Sequence, residues 1–441
     1  METLTISLIV IIGLFAFLAA GMWVGLSLFA AALAGMYFYG NDAFGNIYAT
    51  STWGAISSWS LTALPLFIWM GEILFRTRLA EDLFKGLSPW LQRIPGKLLH
   101  VNIISCGIFA AVSGSSAATA ATIGKMTLPE LRKRGYSDKM AVATLAGSGT
   151  LGLLIPPSII LIVYGVAAEV SIARLFIAGI LPGLLLVSLF MGFTMVWSAV
   201  NKNKLTTINT ADEPPTESLS FKAKIKQTAS LIPVVALITF VLGSIYGGLT
   251  TTIEAAAFGV LGALVLSLLT GTLSKKTFMD SLMGATKTSC MIALILAGAA
   301  FLTTAMAFLG LPNMLATMIA ELNLSTFMLL LALTGLFIFL GCFLDGISVV
   351  VLTTSVVLPM ISQAGIDLLW FGIFIVLVVE MSQITPPVGF NLFVIQGLTG
   401  KDLWYIAKAA LPFFLLILLA VLLIILFPEI VTFLPEQMTT N

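Results

Sequence analysis

Gly149-Thr150-Leu151-Gly152-Leu153-Leu154-Ile155-Pro156-Pro157-Ser158 and Glu380-Met381-Ser382-Gln383-Ile384-Thr385-Pro386-Pro387-Val388-Gly389 each place a Pro-Pro pair inside a long apolar run. Two adjacent prolines remove two backbone donors and clash with the preceding turn. The residue before a proline also avoids the helical region. A helix must break at both places. Broken backbone at membrane depth survives only where it is buried in protein or lines a wet cavity. There the freed carbonyls suit a cation, and the next half-helix offers its positive end to an anion. A single proline kink is common in membrane helices. A pair at each of two related positions favours function.

The two breaks are 230 residues apart, and the surrounding chain follows the same offset. Pro129 aligns with Pro359, Pro156 with Pro386, Pro157 with Pro387 and Pro182 with Pro412, while Leu128, Gly135 and their counterparts Leu358, Gly365 also match. Every proline between 98 and 198 has a counterpart without a gap. Such self-similarity marks an internal repeat.

Composition sets the medium. Of 441 residues, 59% are hydrophobic and 9% charged, with a mean hydropathy of +1.09. Soluble domains carry about 45–50% apolar and about 25% charged residues. A water-soluble enzyme, a disordered chain and a nucleic-acid binder are thereby excluded, the last also by a net charge of +1. The composition is that of an all-α polytopic membrane protein. Cys106, Cys290 and Cys342 lie in apolar runs without metal-ligand spacing and read as small buried hydrophobes. His100, the only histidine, reads as structural. Gly124-Lys125 lacks the rest of a phosphate-binding loop, so ATP hydrolysis is not expected.

Apolar runs predict spans near 4–20, 22–39, 58–76, 138–168 and 175–198, and again near 229–246, 252–271, 289–309, 369–398 and 405–428. The first run lacks a basic leader region and reads as a retained helix. The stretches 98–129 and 328–359 are each too short for two crossings and are interrupted by small or polar residues, so both read as re-entrant helical hairpins. The basic, amphipathic stretches 77–97 and 272–288 read as interfacial helices. The polar stretch 199–227, with Pro214 and Pro215, reads as a linker. Threading these spans puts every lysine and arginine except Lys125 and Arg174 on one side. The positive-inside rule makes that side, linker included, cytoplasmic. Both termini are then expected on the periplasmic side, with the first hairpin entering from the cytoplasm and the second from outside. The first repeat covers 1–198 and the second 228–441, each with five spans and one hairpin. Five is odd, so the copies are inverted, which is a signature of secondary transporters.

The hairpin tips are the second half of each candidate site. The first is Ser113-Gly114-Ser115-Ser116-Ala117-Ala118-Thr119, where small residues allow close approach and hydroxyls offer oxygen ligands; the same composition also serves plain helix packing. The second is Gly341-Cys342-Phe343-Leu344-Asp345-Gly346. A charge at the depth of Asp345 costs about 2.5–3.5 kcal/mol on insertion scales, which points to an ion-linked role, with helix capping as the alternative. Glu72 has Arg76 one turn on and reads as an ion pair or an inter-subunit contact; Glu254 follows Thr251 as in a capping box; Glu380 is placed to orient the second break.

The runs Ser113-Gly114-Ser115-Ser116, Leu151-Gly152-Leu153-Leu154-Ile155-Pro156-Pro157-Ser158, Ile384-Thr385-Pro386-Pro387-Val388-Gly389-Phe390-Asn391-Leu392-Phe393 and Thr251-Thr252-Ile253-Glu254-Ala255-Ala256-Ala257 resemble the large membrane subunit of tripartite ATP-independent periplasmic (TRAP) transporters. The resemblance covers essentially the whole chain. It implies a non-enzymatic, sodium-coupled importer of organic acids such as sialic acid, a C4-dicarboxylate or a sugar acid, in the bacterial inner membrane. It implies an elevator-type ion transporter fold, in which hairpins and broken helices slide against a scaffold. The implied partners are a small four-helix membrane subunit, expected as a separate chain because no extra helix block is present, and an extracytoplasmic solute-binding protein. At least two sodium ions and no organic cofactor are implied. By the resemblance one sodium site maps to Ser113, Ser115 and Ser116 with Gly147, Thr150 and Gly152. Another maps to Gly341 and Asp345 with Ser382, Gln383 and Thr385. Substrate maps near Ser116, Pro157, Pro387 and Asn391. One departure stands out: the family often carries an acid just after the first tip, where this chain has Ala118-Thr119-Ala120. A channel would instead carry ion current without saturable uptake, and a membrane enzyme would need a convergent set of nucleophile, acid or metal ligands that this chain lacks. No arginine sits at either tip or break to read a carboxylate, so the sequence leaves the substrate open.

Overall fold

The computed structural model describes residues 3–40, 44–205, 220–310, 314 and 325–438. The regular structure among them is helical. In the first half, α1 (Thr3–Ala19), α2 (Val24–Tyr39), α3 (Phe44–Ile56) and α4 (Ala63–Phe75) precede the amphipathic α5 (Leu79–Leu91). Then come α6 (Leu99–Ser113) and α7 (Ser116–Lys133), α8 (Asp138–Gly149), a single 3-10 turn (Thr150–Leu153), α9 (Ile159–Ala167), α10 (Ile172–Val200) and the short α11 (Lys202–Leu205). The second half holds α12 (Phe221–Thr228), α13 (Ile232–Tyr246), α14 (Thr252–Leu269), α15 (Lys275–Phe308), α16 (Thr326–Gly341), α17 (Gly346–Gln363), α18 (Leu368–Gln383), α19 (Phe390–Thr399), α20 (Leu403–Leu426) and α21 (Glu429–Glu436).

Helix boundaries recur at the 230-residue offset. The offset carries α7 onto α17 end to end and carries the start of α8 onto that of α18. Both Pro-Pro runs interrupt their helices, and both Pro156-Pro157 and Pro386-Pro387 are cis. The two halves are not copies in detail. The offset lays α3 and α4, which bend by 50° about Ser57 and Ser58, on the unbroken α15.

Several expectations are corrected. The stretch 272–309 is not an interfacial helix followed by a span. It is the one 34-residue helix α15, opened by a Ser274–Thr277 capping box. Its polar residues, Lys287 among them, form an exposed face, so a change of face was read as a change of element. Residues 221–246 likewise run on without a break through α12, a 3-10 turn and α13, starting inside the expected linker. The part of the linker at 206–219 lies outside the described residues. Helices α3 and α21 were not anticipated. Among the described residues five helices can cross a membrane by length and composition, or up to seven if each bent pair is one span. Each Pro-Pro run is split into two helices that are short on their own, so length does not score it as a span.

The broken helices lie at the centre. α18 is buried on every side from Leu369 to Gln383, and α8 from Met140 to Gly149. Burial on all sides, rather than apolarity that lipid-facing spans share, places both helices inside the protein. In lipid, where apolar burial between helices drives little, small residues allow close packing instead. The Tyr164 hydroxyl donates to the Leu368 carbonyl at 2.7 Å, and a Cβ on Gly372 would lie 2.5 Å from the Tyr164 ring, joining α9 to α18. α6 and α7 pack along each other. α16 and α17 pack little on each other, and α17 packs instead on α15, α9 and α18.

Candidate functional site

Each hairpin tip sits against the break of its own half. In the first half the chain turns at Gly114, with φ of +58°, a conformation glycine adopts without Cβ strain. Half-buried Ser115 caps α7 by accepting from the Ala118 amide at 3.5 Å. The half-buried Ser113 hydroxyl lies 2.8 Å from the Thr119 hydroxyl, which itself lies 2.8 Å from the Ser115 carbonyl oxygen. Ser116 begins α7 and is buried. A Cβ on Gly152 would lie 2.5 Å from the Ser115 carbonyl oxygen and 2.7 Å from the Ser116 amide nitrogen, so the tip backbone rests directly on the 3-10 turn. The absent side chain of Gly114 similarly faces the Pro157 carbonyl. Ser113, Ser115, Ser116 and Gly152 are thus brought together. Thr150 is buried in the same turn and donates to the Gly147 carbonyl at 2.8 Å. Gly147 itself faces the Phe413 ring of α20, so it contributes to the turn through its backbone.

In the second half, Gly341 packs on Ser382, whose hydroxyl occupies the place a Cβ would take. The Cys342 thiol donates to the Pro386 carbonyl at 3.3 Å, a second link from tip to break. Asp345 is half-buried and caps α17. Its Oδ2 accepts from the Ile347 and Ser348 amides at 3.1 and 3.3 Å, and its Oδ1 from the Ser348 hydroxyl. Thr385 donates to the Met381 carbonyl at 2.7 Å and Ser382 to that of Val379 at 2.6 Å. The Gln383 Nε2 and both side-chain polar atoms of Asn391 are buried without a partner among the described residues. Buried amides without partners are uncommon, and each asks for a ligand or water. Pro157 is buried whereas Pro387 is exposed, so the two substrate-mapped prolines stand in different surroundings. Asn391 opens α19, which packs on the α7 that Ser116 begins.

Both centres bring together helix ends. Carbonyl ends of α8 and α18 and amide ends of α7 and α17 converge there, each end carrying roughly half an elementary charge. Such a setting suits small ions without a cluster of formal charges. Among the described residues no group of three or more His, Cys, Asp or Glu could hold a metal ion. Oxygen ligands from hydroxyls and backbone carbonyls suit a hard monovalent cation.

Other singled-out residues fall into structural places. Glu254 and Thr251 form a reciprocal capping box at the start of α14. Glu72 pairs with Arg76, and its carboxylate fills the space beside Gly284 of α15. His100 is buried with Nε2 2.7 Å from the Pro95 carbonyl oxygen. Cys106 and Cys342 are buried, but Cys290 is exposed on α15, correcting the reading of all three as buried. Sequence reasoning did not find the Thr119 bridge or the Cys342 link. The signal for Thr119 in the sequence is its hydroxyl within the first tip run.

A polytopic, all-helical protein with two interrupted helices at its centre is the class these observations define. The chain belongs to the family described as "Tripartite ATP-independent periplasmic transporter, DctM component", matched over residues 11–430, which is the TRAP large membrane subunit. It is 31% identical to the sialic acid TRAP transporter large permease protein SiaM of Vibrio cholerae, over 97% of each chain. It is 30% identical to the C4-dicarboxylate TRAP transporter large permease protein DctM of Pseudomonas aeruginosa, over 86% of each. It is 33% identical to the isethionate TRAP transporter permease protein DctMQ of Oleidesulfovibrio alaskensis, over 94% of this chain and 64% of that longer protein, so it spans less than two thirds of that relative. The fold is similar to the crystal structure of the Alcanivorax borkumensis YdaH transporter, with a TM-score of 0.60 and 13% identity over 87% of this chain and 86% of that one. Family membership makes this an integral inner-membrane transport protein. It implies secondary transport of organic acids with a binding protein.

Proposed function

We propose that this chain is the transport subunit of a sodium-coupled importer, taking an organic acid anion delivered by an extracytoplasmic binding protein and working with a small four-helix membrane subunit. The observation that carries the reading is the seating of each hairpin tip on its own broken helix, Gly152 on Ser115 and Gly341 on Ser382. Sodium binds in two places. One is built from Ser113, Ser115 and Ser116 with the Gly147, Thr150 and Gly152 turn. The other is built from Gly341 and Asp345 with Ser382, Gln383 and Thr385. Many of these ligands are backbone carbonyls, which the breaks set free. The substrate anion lies between the tips, where the unpartnered amides of Gln383 and Asn391 are donors suited to a carboxylate. No ATP and no organic cofactor take part.

The two halves are inverted copies, with both termini periplasmic and the linker cytoplasmic. Tips and broken helices move together as an elevator against a scaffold of outer helices and the small subunit. The names of relatives, which cover sialic acid, C4-dicarboxylates and isethionate, support an acidic substrate and leave its identity to the binding protein.

The test is uptake by proteoliposomes that contain this chain and its small subunit, supplied with loaded binding protein. Accumulation requires an inward sodium gradient. Uptake unchanged in sodium-free buffer would overturn the coupling. Thermal-shift screening of the binding protein against organic acids identifies the substrate.

A further inference from the structure

We infer that Glu380 is a positioning residue that holds the first broken helix in register from within the second. The inference rests on the two sodium sites proposed above and names a residue that neither site includes. Among the described residues Glu380 is the one acid with no exposed surface, in the last turn but one of α18. It forms no ion pair among those residues, and its hydrogen-bond partner there is Thr150. Its Oε2 lies 3.5 Å from the Thr150 hydroxyl. Its Oε1 has no partner.

This partner lies close to Gly152, the residue on which the Ser115 carbonyl rests. Thr150 lies two residues before it in the same 3-10 turn. Thr150 passes the link on to the Gly147 carbonyl, in the last turn of α8. Glu380 therefore holds the 3-10 turn at its first residue, where the turn leaves α8. The turn needs such a clamp. The prolines that follow it donate nothing from the backbone, and a buried polar group stays in place only where its bonds are met. The clamp comes from the other half of the chain. Thr150 and Glu380 are separated by the repeat offset of 230, so equivalent positions of the two halves touch. Ser382, in contact with Gly341, lies two residues beyond Glu380 on the same helix. A shift of α18 that reshapes one candidate site is transmitted through Glu380 to the other.

The experiment uses the chain purified with its small subunit and compares wild type, Glu380→Gln, Glu380→Ala and Thr150→Val. Amide hydrogen exchange across residues 147–158 is measured in sodium-free buffer. Glu380→Ala is expected to speed exchange within the 3-10 turn, at residues 150–153, by about tenfold, the size that loss of a buried hydrogen-bond partner produces. Thr150→Val speeds the same amides and stands in if the alanine variant does not fold. Glu380→Gln keeps shape and bonding capacity and stays within about threefold of wild type. In sodium-activated uptake, Glu380→Ala loses the cooperativity between sodium ions and Glu380→Gln retains it. Unchanged protection of 147–158 in Glu380→Ala, or a Glu380→Gln variant as impaired as the alanine one, overturns the inference. Uptake indifferent to sodium in the wild type refutes the coupling reading instead, while the exchange comparison still decides the role of Glu380.

Discussion

Gly152 lies flush against the carbonyl oxygen of Ser115: a Cβ built on the glycine would come within 2.5 Å of it. No side chain fits between the first hairpin tip and the first break. Gly152→Ala is therefore expected to push tip and turn apart. Overpacking of this kind costs about 1–3 kcal/mol. The thermal midpoint of the purified subunit should fall, and uptake should fall further than stability does, because the displaced groups are the proposed cation ligands. A variant with wild-type uptake would show that the contact is only packing.

Asp345 combines a cap with a proposed ligand role, and two substitutions separate them. Asp345→Asn keeps an N-cap side chain, whereas Asp345→Ala loses it at about 1 kcal/mol. Both are expected to raise the sodium concentration needed for half-maximal uptake, and only the alanine variant to lower the thermal midpoint. If Asp345→Asn keeps the wild-type sodium curve, the carboxylate is a cap and nothing more.

Glu254 is the contrasting acid. Its carboxylate receives the Thr251 amide at 2.8 Å within an exposed capping box, far along the chain from either break. Glu254→Ala is expected to reduce the yield of folded protein while the sodium activation curve of what remains overlays that of wild type. A shifted curve would move Glu254 into the transport machinery.

The Glu72–Arg76 pair joins α4 to α15, since Arg76 also donates to the Asp280 carbonyl at 3.2 Å. Ion pairs that reach solvent contribute about 0–1 kcal/mol. Replacing both residues by Gln and Met together should leave uptake within about twofold of wild type, whereas Glu72→Ala alone leaves Arg76 without its partner and should cost more. Equal losses from the single and double changes would refute the pairing as the reason for their presence.

Orientation is tested by reporter fusions. Alkaline phosphatase fused after Glu436 should be active, and fused at Lys202 inactive, if both termini are periplasmic and the basic stretches cytoplasmic. The reverse pattern would invert the proposed threading and with it the entry sides of the hairpins.

Much of the architecture was legible because it rests on local rules. Two Pro-Pro pairs compel breaks wherever they occur, and the apolar runs around them state their medium. Short small-residue turns at Gly114 and near Asp345 end helices for reasons that neighbouring residues supply, and Thr251 with Glu254 announces its own cap. The misreadings came where one sequence pattern serves two structures. The lysines of 275–287 mark an interfacial helix or the exposed face of a longer one, and only the packing of α15 against α2, α3 and α4 chose the second. Helix α3, with few strongly apolar residues, gave no periodic signal and is held by its neighbours.

The sequence by itself determined that the chain is a helical membrane protein with two interrupted helices, because composition and proline chemistry act through neighbours along the chain. Which residues meet was decided only by the tertiary structure. Gly341 against Ser382, Cys342 on Pro386, and Glu380 reaching across 230 positions to Thr150 all depend on how α18 lies in the centre of the fold. Contacts between segments so far apart are set by the packing of whole helices, which no local pattern of residues encodes.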